Sequence, residues 1–238
     1  GSPGYVLLSG LFAHAMPFAF DRSLVIFSGL CAALTLFPLD RILRTLGCTS
    51  GPMRFGWLLV GGLLPNVWLQ AARIELYTLS TLMFFIVVSR TLHRKNGHAR
   101  DWLTALIIGI LLTVNPLFGV LSSMVFVVIC IKEEWNQGIR YLLSQTLVCL
   151  AAVIVGLLPY SYCFIVGGYD DRFIWGDWHS LDSVIFYFSG KDYAINWAGE
   201  PNRWDHLISF MNYWWDEGSL PVVLLGMVLS VRAAVHAL

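Results

Sequence analysis

This sequence contains few charged residues. Asp, Glu, Lys and Arg make up 13% of its 238 residues and hydrophobic residues make up 57%, whereas an ordinary soluble domain carries about 25% charged residues. A chain of this length that folded in water would bury too little surface to hide so many apolar side chains. An ordinary soluble domain is therefore excluded. The charges balance at 15 basic and 15 acidic residues, and nothing in their pattern indicates a nucleic-acid partner.

Motifs of metal sites and of nucleotide-driven enzymes are missing as well. The five cysteines show no CxxC spacing, and four of them lie in apolar runs, so neither a disulfide framework nor a metal site is predicted. The six histidines show no HExxH or paired spacing. The sequence has no GxGxxG loop, no Walker loop and no G-x-S-x-G turn. No metal ligand and no organic cofactor are predicted.

Long apolar runs are what the sequence has instead. Runs of this kind predict transmembrane helices, although several are shorter than the roughly 20 residues of a straight span. We expect an all-α protein, a polytopic transmembrane helical bundle whose surroundings are the lipid bilayer. The runs cover residues 5–20, 23–40, 55–71, 74–92, 102–115, 117–131, 142–167 and 219–238.

Two pairs of neighbouring runs predict tight, broken helical hairpins. One pair is 55–71 with 74–92, and the other is 102–115 with 117–131. Pro116 falls near the tip of the second pair, where a helix break is tolerated if the freed backbone lines a cavity.

The distribution of arginine and lysine predicts the orientation. Segments 41–54 and 90–100 are rich in these residues and should be cytoplasmic. The tips near 72–75 and 115–116, and the loop 168–218, then lie on the opposite face. This loop holds three basic and nine acidic residues, with six Trp and four Tyr, a density typical of a membrane interface or a carbohydrate site. The predicted divisions are a transmembrane module 1–167, an extracytoplasmic loop with an interfacial helix 168–218, and a transmembrane helix 219–238.

Arg73 and Glu75 interrupt the apolar region at one of these tips. A carboxylate there is a functional-site hypothesis, because its removal from water is costly unless a partner compensates. The alternative is a structural ion pair. Residues two apart on a helix do not face each other, so Arg73 is a poor direct partner for Glu75 unless the helix breaks there. Both interpretations stay open.

Asn115 and Asp177 are further candidates. Asn115-Pro116 is either an ordinary turn or a polar break that lines a cavity. Asp177 follows Trp175-Gly176 and is either a cap of the following helix or a binding residue.

Five stretches occur in the order and at the spacing of one family. The chain resembles the polytopic GT-C-type glycosyltransferases of bacteria, the family that includes the eukaryotic O-mannosyltransferase acting on IPT domains. The matching stretches are Ser2-Pro3-Gly4-Tyr5-Val6-Leu7, the pattern Trp68, Ala71 or Ala72, Glu75, Tyr77 and Leu79, the stretch GILLTVNPLFG at 109–119, Gly156-Leu157-Leu158-Pro159-Tyr160, and Trp175-Gly176-Asp177 through Tyr193.

The sequence departs from the family pattern at two places. Pro116 and Leu117 stand where the family has a histidine after the Asn115 position. The family's Asp-Ser-Gly-Glu motif precedes the Pro-Gly-Tyr segment, and this chain starts after it. An acid in that first external loop is the usual catalytic base, so the chain either lacks the base or is part of a longer protein.

The resemblance also creates a conflict of topology. The family has Pro3-Gly4-Tyr5 near the external face, whereas counting back from a cytoplasmic 41–54 puts Gly1 inside. Either the run 5–20 does not span the membrane, or the assignment of 41–54 is wrong.

The activity that the resemblance implies is transfer of a sugar, with mannose one candidate, from a polyprenyl-phosphate donor to a protein or glycan acceptor. Transfer would occur on the outer face of a bacterial inner membrane, or at the ER membrane of a eukaryote. The implied catalytic-site residue is Glu75. Arg73 and Lys191 would bind the donor phosphate, where Arg offers a bidentate fork. The remaining implied substrate-binding residues are Tyr77, Asn115, Trp175 and Asp177.

The competing class is a non-enzymatic membrane protein, such as a transporter or an export subunit for a carrier lipid or polysaccharide. It would use the same broken hairpins and buried acid for coupling. Internal repeats would favour it, and the sequence has no convincing repeat.

Overall fold

The computed structural model describes residues 2–63, 71–74, 76–93, 101–134 and 139–161. Within these ranges the chain forms helices joined by turns and no strand, which confirms the predicted all-α class. The helices are α1 Pro3–Ala15, α2 Phe20–Thr45, α3 Gly51–Gly62, α4 Tyr77–Leu92, α5 Asp101–Val114, α6 Pro116–Glu134 and α7 Ile139–Gly156.

Proline and glycine set several of the helix boundaries. Pro3 and Pro116 are the first residues of α1 and α6, where a missing N–H costs nothing and the fixed φ suits a helix. Gly47 ends α2 with φ 87°, a left-handed conformation that glycine adopts freely. The N–H of Gly47 donates to the Arg44 carbonyl at 3.1 Å and that of Cys48 to the Leu43 carbonyl at 3.0 Å. These paired bonds are a Schellman motif, which satisfies the last carbonyls of the helix.

One end of the bundle, called here the His93 end, is formed by the last turns of α2 and α4 and the first turn of α5. Thr45 Oγ1 lies 2.9 Å from His93 Nε2, so α2 and α4 end side by side. Arg90 Nε donates to Thr104 Oγ1 at 3.1 Å, which ties the start of α5 to the same end. Helices α2 and α4 are therefore parallel, and α5 runs in the opposite direction.

The opposite end, called the Asn115 end, is formed by the first turns of α1, α4 and α6 and the last turns of α5 and α7. A Cβ atom built on Gly119 would lie 2.8 Å from the Leu112 Cα, so α6 folds back sharply along α5 after Asn115. The hairpin predicted for 102–131 is confirmed. Helix α7 returns to this end, where the Tyr160 hydroxyl donates to the Leu112 carbonyl at 3.1 Å.

Helix α1 covers only the part of the bundle near the Asn115 end. Gly4 packs directly on Thr113 and Val114 at the end of α5, and the short turn after α1 leads into α2 at the end of that helix remote from Thr45. The 13 residues of α1 span about 20 Å, less than the roughly 30 Å of a bilayer core.

Helix α3 packs along α2 and has no buried residue. Arg54 of α3 pairs with Asp40 of α2 through a 2.8 Å contact between Nε and Oδ1. Among the described residues, α3 and α4 share few contacts, so the tight hairpin predicted for 55–92 is not formed by these two helices. The ion pair fastens the start of α3 to α2, and residues 64–70 of the predicted hairpin lie outside the described ranges.

The core is centred on α5, which contacts α1, α4, α6 and α7. Ile108, Leu111 and Val114 of α5 are at most 1% exposed. Leu111 and Val114 pack with Cys31, Leu79 and Met83, whereas Ile108 packs with Val87 and Phe126 in a second cluster.

Buried polar side chains and exposed apolar side chains are both common in the described part of the chain. Among the described residues, twelve buried side chains are Ser, Thr or Asp, nearly as many as the thirteen that are hydrophobic. Many of these hydroxyls bond a carbonyl of their own helix, as Ser9 does to Tyr5 at 2.7 Å. On the outside, Phe37, Leu147 and Val128 are 73%, 66% and 64% exposed. Small hydroxyl-bearing side chains therefore share the interior with the hydrophobic clusters, and many large apolar side chains lie on the surface.

Two stretches of the described chain, Phe20–Thr45 and Ser144–Ser161, are long and apolar enough to cross a membrane by length and composition. Only 28% and 6% of their apolar windows are buried, whereas the core helix of a soluble protein is mostly buried. Tyr77–Leu92, Asp101–Val114 and Pro116–Cys130 are shorter apolar helices.

Candidate functional site

The break between α5 and α6 consists of Asn115 alone. The Asn115 N–H continues α5 by donating to the Leu111 carbonyl at 2.7 Å. Its side-chain Oδ1 accepts from the Phe118 N–H at 3.3 Å, and its carbonyl accepts from the Gly119 N–H at 3.0 Å. Asn115 is therefore the N-cap of α6, the position that asparagine favours. The cap was not predicted from the sequence, which offered a turn or a polar break here, and the amide nitrogen of this half-buried side chain is not part of the cap.

The break is supported by Tyr160, which follows α7 in the chain. Leu112 is one of the last four residues of α5, whose carbonyls lack helical partners, and Pro116, four positions later, has no N–H to offer. The Tyr160 hydroxyl satisfies the Leu112 carbonyl, and its ring is 9% exposed. Sequence reasoning matched Tyr160 to a family motif but gave it no role. The proline at 116 was the signal that a carbonyl four residues earlier needs another donor.

Arg73 lies in the turn that precedes α4. The helix begins only at Tyr77, and Arg73 and Ile74 are exposed bends. Because no helix runs through Arg73, its separation of two residues from Glu75 does not decide whether the two side chains face each other. Ala71 approaches Gly29 of α2, since a Cβ atom on Gly29 would lie 3.9 Å from the Ala71 carbonyl oxygen.

Tyr77 is the first residue of α4 and is 49% exposed. Its neighbours Leu76 and Leu79 pack in the cluster that contains Leu111 and Val114 of α5. The first turn of α4 and the Asn115 break therefore lie at the same end of the bundle. Of the predicted site residues, the structure brings Arg73, Tyr77 and Asn115 to this one end.

The other predicted site residues lie outside the described ranges. They are Glu75, Trp175, Asp177 and Lys191. Tyr160 and Ser161 are the last described residues before the segment that carries three of them. Tyr160 itself lies at the Asn115 end, because its hydroxyl is bonded to α5 there.

The His93 end carries arginines and an ion-pair network. Arg44 and Arg54 both pair with Asp40, and Arg54 also donates to the Cys48 and Thr49 carbonyls at 3.1 and 2.7 Å. Arg41 is exposed nearby, and Arg90 lies in the last turn of α4. In the described part of the chain, the arginines of 41–54 and Arg90 thus lie at the opposite end of the bundle from Arg73 and Asn115. Residues 94–100 and the loop 168–218 of the prediction lie outside the described ranges.

A close contact of glycines holds α5 against α7. A Cβ atom built on Gly109 would lie 2.8 Å from the Gly156 Cα, and one built on Gly156 would lie 2.7 Å from the Gly109 Cα. Sequence reasoning did not single out this pair, which sits on two different apolar runs.

No group of three or more His, Cys, Asp or Glu side chains suited to a metal ion occurs in the part of the chain that the structure describes. Comparison of the sequence with protein-family models and with curated proteins, and of the fold with solved structures, finds no match.

Proposed function

We propose that this protein is a multi-pass membrane glycosyltransferase of the GT-C type. It transfers a sugar from a polyprenyl-phosphate donor to a protein or glycan acceptor. The Asn115 end faces the extracytoplasmic side of a bacterial inner membrane, or the lumen of the ER in a eukaryote. The observation that carries the proposal is that three features lie together at this end: the turn with Arg73, the break at Asn115 and the end of α7.

The polarity of the bundle supports the location in a membrane. Between helices surrounded by lipid, small and hydroxyl-bearing residues pack inside while large apolar side chains face the hydrocarbon. Exposed residues such as Phe37 on α2 and Leu147 on α7 have no favourable surroundings in water. The arginines at the His93 end support its cytoplasmic orientation.

The chemistry proposed for the Asn115 end follows from the groups that meet there. The Arg73 guanidinium is exposed and suits a phosphate oxygen pair of the lipid-linked donor. Tyr77 offers a half-exposed aromatic face and a hydroxyl to a sugar. Glu75, between them in sequence, is the acid of the proposed site and orients the acceptor. Trp175, Asp177 and Lys191 complete the site from the loop.

The orientation is tested by labelling single cysteines in spheroplasts, where the extracytoplasmic face of the membrane is outside. Cys48 lies at the His93 end, and Leu117, which is 65% exposed, lies at the Asn115 end. Each of the two cysteines is tested alone, in a variant without the other cysteines. In intact spheroplasts, a membrane-impermeant maleimide added outside should label Leu117→Cys. It should label Cys48 only after the membrane has been permeabilised. Labelling of both residues from the same side would overturn the multi-pass orientation.

The activity of the full-length protein is tested by supplying polyprenyl-phosphate-mannose or polyprenyl-phosphate-glucose as the sugar donor and measuring transfer. Glu75→Gln should lower kcat by about tenfold or more. The matched control is Asp21→Asn, an exposed acid in the first turn of α2, which should leave transfer unchanged. Transfer that is unaffected by Glu75→Gln would remove Glu75 from the site. Flipping of the lipid-linked sugar across the membrane without transfer would support the transporter alternative instead.

A further inference from the structure

One face of α2 carries an exposed stripe of side chains that is apolar along most of its length and basic where it ends. Its residues follow one another at spacings of three or four, which places them on one side of the helix. In the described part of the chain, this stripe, called here the α2 stripe, consists of Ile26, Leu30, Leu34, Phe37, Arg41 and Arg44. Its basic part lies at the His93 end, because Thr45 contacts His93 there.

Arg41 and Arg44 are positioned to bind one phosphate group together. Residues three apart on a helix have neighbouring side chains, and both arginines are exposed. Arg44 is 61% exposed even though it pairs with Asp40, and Asp40 is held in turn by Arg54 of α3. Asp40 offsets one of these three positive charges, so the four side chains together keep a net positive charge.

The apolar part of the α2 stripe has the length of one membrane leaflet. From Leu30 to Arg41 the helix rises about 16 Å, and half of a bilayer core is about 15 Å thick. Phe37, the apolar residue nearest to the arginines, is 73% exposed. A phospholipid whose phosphate lies at the arginines would place its acyl chains along this apolar surface, whereas a soluble anion would leave the surface uncovered.

We propose that the α2 stripe binds an anionic phospholipid of the cytoplasmic leaflet. Charge complementarity selects this occupant, because an anionic headgroup is attracted by arginines near the membrane surface and a zwitterionic one brings them no net charge. The claim rests on the membrane location and orientation proposed above, and it does not depend on sugar transfer. A lipid that binds only the folded bundle also stabilises it.

Binding is measured by native mass spectrometry of the full chain, released from detergent that contains equal amounts of phosphatidylglycerol and phosphatidylcholine. The wild type should retain phosphatidylglycerol in preference. Arg41→Gln and Arg44→Gln should each weaken phosphatidylglycerol binding roughly fivefold, whereas Arg41→Lys, which keeps the charge, should weaken it less. The matched control is Arg22→Gln, at an exposed position near the other end of the same helix, which should leave the binding unchanged.

The apolar half of the stripe is tested with Phe37→Ala, which should weaken the binding of both lipids. Equal losses in Arg22→Gln and Arg41→Gln would reveal diffuse attraction to the whole surface and would overturn the site. Equal retention of both lipids by the wild type would contradict the anionic headgroup. Glycerol phosphate carries the phosphate without acyl chains, and its displacement of phosphatidylglycerol would rule out the lipid as the occupant. A wild type that prefers phosphatidylglycerol but transfers no sugar would overturn the proposed activity and leave this site standing.

Discussion

Gly109 of α5 and Gly156 of α7 meet backbone to backbone, with no room for a side chain on either residue. The contact lies in the most extensive helix–helix interface among the described residues. Such close approach increases van der Waals contact between helices, which is a main source of stability where lipid surrounds them.

Alanine at either glycine should therefore destabilise the protein. Gly109→Ala and Gly156→Ala force α5 and α7 apart, and we expect each to cost about 1–3 kcal/mol of the free energy of unfolding. Gly10 and Gly56 also lie inside helices, but a Cβ atom on them meets nothing within 4 Å. Gly10→Ala and Gly56→Ala should stabilise by about 0.5–1 kcal/mol. Thermal unfolding in detergent, followed by tryptophan fluorescence, measures all four. Equal effects at the two pairs would contradict the close contact.

Substitutions of Asn115 separate its capping role from its proposed contact with substrate. Asn115→Ala should cost about 1 kcal/mol because the Phe118 N–H loses its acceptor. Asn115→Ser keeps a good cap, so its melting temperature should stay close to that of the wild type. If Asn115 also binds the substrate, the serine variant should show a raised KM. A wild-type KM for Asn115→Ser would leave capping as the sole role.

Lysine at position 54 should not reproduce the contacts that Arg54 makes. The guanidinium of Arg54 reaches Asp40 and two loop carbonyls at the same time, whereas an ammonium is a single point of charge without this fork. In Arg54→Lys, amide exchange in α3 should be several-fold faster than in the wild type. Arg41→Lys, at an exposed position in the last turns of α2, is the control and should have no effect. Unchanged exchange in both variants would show that the charge alone fastens α3.

Ser28 and Ser122 should tolerate alanine. Both are fully buried, and neither hydroxyl has a hydrogen-bond partner among the described residues. Removing an unsatisfied hydroxyl relieves its desolvation cost, so Ser28→Ala and Ser122→Ala should leave stability unchanged or raise it by up to about 1 kcal/mol. Ser9→Ala, which removes a hydroxyl bonded to the Tyr5 carbonyl, is the comparison and should not be stabilising. A loss of more than about 1 kcal/mol at Ser28 would reveal a partner for that hydroxyl.

The sequence predicts the helices better than their packing. Pro116 located the break between α5 and α6, and the basic segments indicated which ends of α2 and α4 lie together. Local composition carries this information. The glycine contact at Gly109 and the bond from Tyr160 depend on pairing between distant runs, and helices that are apolar on most sides give little periodicity from which to derive a facing partner. The sequence left the conflict between the run 5–20 and the cytoplasmic assignment of 41–54 open for the same reason, since an apolar run does not reveal whether it crosses a bundle.

The hydroxyl groups that bond within their own helices affect how the protein should respond to temperature. Helices that separate in a bilayer keep these bonds, and their side chains exchange protein neighbours for lipid instead of water. The heat-capacity change of unfolding, which is about 12–15 cal/mol/K per residue for soluble proteins, depends on surface newly exposed to water. For this bundle in its proposed membrane it should be much smaller. The stability of the protein should then fall almost linearly on heating, without the cold-side decline of a soluble domain.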